Sequence, residues 1–187
     1  MTQPEGWRTA IPRLARRIAS AFDGIEQRLR RPPGEARPPG EARWPGEARG
    51  EGWSREEIGE HVVLANHYLL LLAGKIAAKG IARRDRGVPP PRAASSFQDL
   101  ERVAARDFVW ESPEHMRPTG ALTTFEILAL LSEQRRHALR LLARARDGAG
   151  ALHAISMSVA GARLDLYQLL AFVALHLERH ARQMDRG

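Results

Sequence analysis

The chain has 187 residues and 20.8 kDa, 43% hydrophobic and 27% charged, which excludes global disorder and suits a single domain able to bury its own core. Cysteine is absent, which excludes a disulfide scaffold, thiolate zinc sites and cysteine nucleophiles. The net charge is +7, but the excess is almost all arginine, scattered over every segment and interleaved with acids, and no nucleic-acid-reading motif accompanies it.

The first helical segment is expected from about Thr9 to Arg30. Trp7, Ile11, Leu14, Ile18, Phe22, Ile25 and Leu29 recur every three or four residues and line one face, and Pro12 falls where a first turn tolerates it. Three hexapeptides follow, PPGEAR at 32–37, PPGEAR at 38–43 and WPGEAR at 44–49. Pro-Gly in each copy blocks helix and strand, and the unit is too short for a solenoid, so residues 32–49 read as a linker within one domain spanning 1–187.

The second helix opens at Ser54, where Ser54 and Glu57 make a capping box. Its inward stripe is Ile58, Val62, Ala65, Leu69, Leu72 and Ile76, and Gly80 marks the expected stop. Residues 81–95 read as a loop, Ser96 to about Arg106 as a short helix, and Phe108 to Gly120 as irregular, with Trp110 and Met116 either walling a pocket or simply packing. The third helix carries a second capping box, Thr123 with Glu126, and the stripe Ile127, Leu131, Ala138, Leu141 and Ala145, ending at Asp147-Gly148. Gln134 and Arg135 interrupt this stripe. Either they face a cavity, with Arg135 placed to hold a carboxylate or other anion, or the helix is rotated and Arg135 lies at the surface. Gly148 to Arg163 reads as a small-residue loop. The fourth helix begins near Asp165, which Gln168 caps, with the stripe Leu166, Leu169, Val173, His176, His180 and Gln183. No segment alternates as a strand would, so the expected architecture is all-α, a four-helix bundle with long connections.

His176 and His180 are one helical turn apart, so both imidazoles project from the apolar face. This spacing offers two nitrogens to one transition metal; two histidines near a helix end also arise as ordinary surface or capping residues. His61 falls on the inward side of the second helix. A core imidazole without a partner is costly, and three inward histidines can satisfy one another through a shared ion with positions left for water or substrate. No H-E-x-x-H segment supports a zinc protease. Glu57 precedes His61 by one turn and either orients that ring or serves only its capping box. His67 faces elsewhere, His115 and His153 lie in loops, and His137 sits among arginines, so all four read as surface residues; His115 closing over the metal is the alternative role for that residue.

Trp53-Ser54-Arg55-Glu56-Glu57-Ile58-Gly59-Glu60-His61 resembles the W-S-x-x-E-x-x-x-H opening of the second helix in the DinB-like proteins. Leu166-Tyr167-Gln168-Leu169-Leu170 through His176, His180 and Gln183 is similar to that family's closing L-x-x-L-L…H-x-x-x-H-x-x-Q, and Arg117-Pro118-Thr119-Gly120 resembles its entry to the third helix. The PGEAR repeats depart from the pattern. The polar start Met1–Glu5 with no apolar region after it, and a longest dense apolar run of only Tyr68 to Ala73, make a cytoplasmic protein the expectation. The resemblance implies a bacterial four-helix bundle in which His61, His176 and His180 hold a divalent metal, zinc or nickel foremost. It also implies an S-transferase using a low-molecular-weight thiol such as bacillithiol or mycothiol, or a metal-dependent hydrolase. Residues 107–120, with Trp110, and Gln134 and Arg135 are then the candidate substrate contacts. The partners expected are a small-molecule substrate and a second copy of the chain, with no specific nucleic acid and no membrane. The competing reading is a non-catalytic bundle, with structural metal or none, acting through dimerisation or a partner.

Overall fold

A computed structural model describes residues 6–31, 53–97, 100–101, 113–157 and 162–185. Four helices dominate it: α1 (Trp7–Leu29), α2 (Arg55–Asp85), α3 (Thr124–Arg144) and α4 (Leu166–Met184). Around the bundle they stand in the order α1, α4, α2, α3, so α1 and α2 are diagonal to each other, as are α3 and α4. Both diagonal steps need long connections, which is the all-α arrangement expected from four amphipathic helices.

The heptad-like spacing of α1 buries Ala10, Leu14, Ile18, Ala21, Phe22, Ile25 and Leu29. The helix starts at Trp7, two residues before the expected Thr9, so Pro12 lies in its second turn rather than its first. Arg8 and Pro12 are both exposed, so the Arg8 carbonyl that proline leaves without a helical donor lies on the solvent side. α4 is buried almost all round: every residue from Leu169 to Leu177 is covered. It is the helix around which the others assemble.

The starts of α2, α3 and α4 are fixed by reciprocal capping boxes, Ser54 with Glu57, Thr123 with Glu126 and Asp165 with Gln168. Each box satisfies two of the donors that a helix N-terminus leaves unpaired. α2 runs five residues past the expected stop at Gly80. A Cβ there would overlap the Ala149 carbonyl oxygen, so Gly80 admits the close approach of another segment and does not end the helix. The stop is Gly87, at φ +83°, with the Gly87 amide on the Arg84 carbonyl and the Val88 amide on the Arg83 carbonyl. This pattern closes helices at a left-handed residue.

α2 is long and apolar enough to cross a membrane by length and composition, yet over half of the apolar window is buried against the rest of the protein. Leu69, Leu70, Ala73, Ile76 and Ala77 all lie in the core.

The described parts of the segment expected to be a plain small-residue loop before α4 carry regular structure. A 3-10 turn at Ala149–Leu152 leads into an antiparallel pair, β1 (Ala154–Met157) and β2 (Ala162–Asp165), with Ala154 opposite Asp165. The hairpin delivers the chain directly to the α4 N-cap. Of the short helix expected at Ser96–Arg106, residues 98–99 and 102–106 lie outside the described residues; Leu100 is buried. The PGEAR repeats also lie outside them.

Candidate metal centre

His61 occupies the second turn of α2, held in register by the Ser54–Glu57 cap, and Trp53 covers its ring at a centroid distance of 5.0 Å. His176 and His180 come from successive turns of α4. The three rings meet in the interior, 5%, 2% and 8% exposed, with centroids 4.4–5.4 Å apart. One potential ligand atom from each lies within 4.8 Å of the others.

Hydrogen bonds fix how two of the rings face. The His61 Nδ1–H donates to the Met116 carbonyl oxygen at 2.8 Å. A carbonyl only accepts, so Nδ1 carries the proton and the Nε2 lone pair of the neutral ring is left for the cluster. His180 Nδ1 donates in the same way to Gln183 Oε1 at 2.8 Å. His180 Nε2 and His176 Nε2 stand 3.0 Å apart. Two nitrogens at about 2.0–2.1 Å from one tetrahedral ion lie roughly 3.3 Å from each other, so this spacing fits two ligands of one metal.

Electrostatics keep the donors available. Burial and the charges of His180, His61 and Arg179 hold His176 well below its ordinary range. Burial, with the nearby His61, lowers His180 to about 3. Burial lowers His61 too, opposed in part by the Met116 carbonyl. All three imidazoles are neutral near pH 7, the form that binds a metal.

A neighbouring carboxylate that sequence reasoning passed over completes the surroundings. Glu60 is 3% exposed. It accepts hydrogen bonds from Thr119 Oγ1 at 2.8 Å and from the Gly120 amide at 2.7 Å. Burial raises its pKa, but these bonds outweigh that and hold the carboxyl below its ordinary value. The available signal was its position one residue before an inward histidine, facing a Pro-Thr-Gly turn.

The other candidates lie elsewhere. Glu57 serves its capping box, while the Met116 carbonyl orients His61. Gln134 is buried and donates to the Val63 carbonyl of α2 at 2.8 Å. Arg135 is turned towards α1, where it pairs with Asp23. The α3 stripe keeps its expected phase: Ile127, Leu131, Gln134, Ala138 and Leu141 are all buried, Gln134 as a helix-to-helix tie, and Arg135 beside it is in a half-exposed ion pair. Met116 is buried and acts through its backbone, and Trp110 lies outside the described residues. His67 and His115 are exposed, the latter against Tyr68 at 6.1 Å. His137 and His153 are half-buried, less solvated than expected.

The sequence profile of the DinB superfamily matches residues 13–184, from the first turns of α1 to the last residue of α4. Comparison with curated proteins and with solved structures gave no match.

Proposed function

The chain belongs to the DinB superfamily, and from that membership and its histidine cluster we propose that it is a divalent-metal-dependent enzyme acting on a small molecule. The observation that carries the reading is the convergence of three buried, neutral imidazoles from two helices, with ligand atoms within 4.8 Å of one another. His61, His176 and His180 are the ligands. Imidazole nitrogens suit zinc or nickel, with zinc the simplest match to the tetrahedral spacing. Three protein ligands leave a coordination position for a reactant, as catalytic rather than structural sites do.

A divalent ion held there supplies Lewis acidity, making a thiol or water nucleophilic near neutral pH. The chain supplies the rest. Met116 and Gln183 fix the protonated nitrogens of His61 and His180, so their lone pairs face inward. Trp53 covers one side of His61 and limits water there. The reaction class we propose is transfer of a low-molecular-weight thiol to a carbon electrophile, with hydrolysis by activated water as the alternative chemistry of the same site. The thiol would come from solution, in keeping with a chain that has no cysteine.

The proposal extends to one domain over residues 1–187, a cytoplasmic setting and no nucleic-acid partner. Support for the last comes from the arginines: Arg17, Arg28, Arg30, Arg31, Arg84 and Arg135 are all committed to carboxylates of the chain itself. One observation favours a second, non-catalytic reading. Tyr68 and Leu71 are 45% and 51% exposed on α2, apolar surface that a second copy or another partner would cover.

The test is turnover by zinc- or nickel-loaded protein. Thiol consumption is followed with bacillithiol or mycothiol and a panel of electrophiles, and ester hydrolysis is followed without thiol. Metal-dependent turnover that vanishes in His176→Ala is the expected result. Loaded protein inert towards both panels, together with a stable dimer, would favour the partner-binding reading.

A further inference from the structure

Glu60 and His61 are consecutive residues of α2, and both grip the segment that leads into α3. The imidazole holds the Met116 carbonyl at 2.8 Å, and the carboxylate holds Thr119 Oγ1 at 2.8 Å and the Gly120 amide at 2.7 Å. The residues between these grips are stiff. Pro118 locks its own φ and confines Arg117 to extended backbone, where it is found at φ −73°, ψ 140°. Gly120 takes φ +73°, a left-handed turn that glycine adopts at little cost. A displacement of Thr119 and Gly120 is therefore carried to Met116 rather than absorbed in between.

A covered carboxylate without a cationic partner is an uncommon way to hold a loop. Among the described residues no lysine or arginine pairs with it; hydrogen bonds from Thr119 and Gly120, not a cation, offset its desolvation. An apolar side chain would serve packing alone. The carboxylate's two oxygens do something an apolar group does not: they fix the position of a backbone turn in space, and with it the acceptor for His61.

We propose that Glu60 is a positioning residue of the metal centre. By clamping Thr119 and Gly120 it sets the Met116 carbonyl, which holds Nδ1 of His61 protonated and turns Nε2 towards His176 and His180. The inference rests on the metal-centre reading above. It predicts that the clamp governs metal affinity without touching the metal, as groups that orient ligand histidines do.

The test compares the full chain with Glu60→Met, which keeps the length of the side chain and removes both acceptor oxygens, and with Thr119→Val, which keeps the carboxylate and removes one bond. Zinc dissociation constants are measured by chelator competition. The protonated nitrogen of His61 is read by 15N NMR on metal-free protein, and melting of the metal-free form is recorded alongside. The expected result is a zinc dissociation constant about tenfold weaker in each variant, with loss of the defined His61 Nδ1–H signal. Wild-type zinc affinity and an unchanged His61 signal in both variants, even with lowered melting temperature, would make Glu60 a plain loop anchor and overturn the proposal. Should Glu60→Met fail to fold, Thr119→Val decides. Should the wild type bind neither zinc nor nickel, the metal-centre reading fails separately; the NMR signal then decides the positioning role, and its persistence in the variants overturns that role too.

Discussion

His176 and His180 present their Nε2 atoms to each other across 3.0 Å from successive turns of α4. That contact exists because α4 is buried nearly all round and its capped start at Asp165 fixes the phase in which the two rings point inward. A third ring, His61, arrives from α2, which stands beside α4 in the bundle. Three basic groups sharing an apolar interior stay neutral, and neutral imidazoles are what a divalent ion requires.

The first prediction concerns pH. Burial lowers His180 from 6.5 to about 3 and His176 and His61 below 6.5, so the unfolded chain takes up protons that the folded one refuses. Stability is then full above the unfolded pKa and falls as pH drops through and below it, by up to about 1.4 kcal/mol per pH unit for each such histidine. Chelator-treated protein should melt at progressively lower temperature from about pH 7 to about pH 4, more steeply than a His61→Phe variant. Identical profiles would mean that His61 contributes nothing to the effect.

Gln183 offers a graded test of ligand orientation. Its Oε1 accepts from His180 Nδ1. Gln183→Leu removes the acceptor and should weaken zinc binding by roughly 10–100-fold. Gln183→Glu keeps an acceptor, now charged, and should bind at least as tightly as the wild type. Chelator competition reads both, and equal affinities across the series would show that the hydrogen bond does not orient the ligand.

The capping boxes and helical stripes were legible in the sequence because both are local: a cap links residues three apart, and a buried face repeats every turn. The inward side of His61 and the shared face of His176 and His180 followed from the same periodicity. Gly80 misled for the opposite reason. A glycine late in an apolar helix signals a stop, but the Ala149 carbonyl, close to it in space and 69 positions away in sequence, is what requires it. The hairpin before α4 was missed because its strands do not alternate: Ala154–Met157 is mostly half-buried, and Ala162–Asp165 runs from exposed to buried. Nor does side-chain pattern reveal that a backbone carbonyl, Met116 O, holds His61, or that Asp23 on α1 claims Arg135.

Asn66 carries a stability prediction. It is fully buried on α2, and neither Nδ2 nor Oδ1 has a hydrogen-bond partner among the described residues. A buried amide left unsatisfied costs about 1–3 kcal/mol. Asn66→Leu, of the same branching, should raise the free energy of urea unfolding by an amount within that range and leave metal content unchanged. A loss of stability would show instead that the amide is satisfied by an internal water, one that Leu displaces.

The most direct test of the central claim is the metal content of the purified protein, measured by elemental analysis beside His61→Ala and His176→Ala after loading with zinc or nickel. The account predicts about one divalent ion per chain in the wild type and its loss in both variants, since each removes one of three ligands drawn from two helices. No bound metal in the wild type after loading, or undiminished metal in either variant, would contradict it.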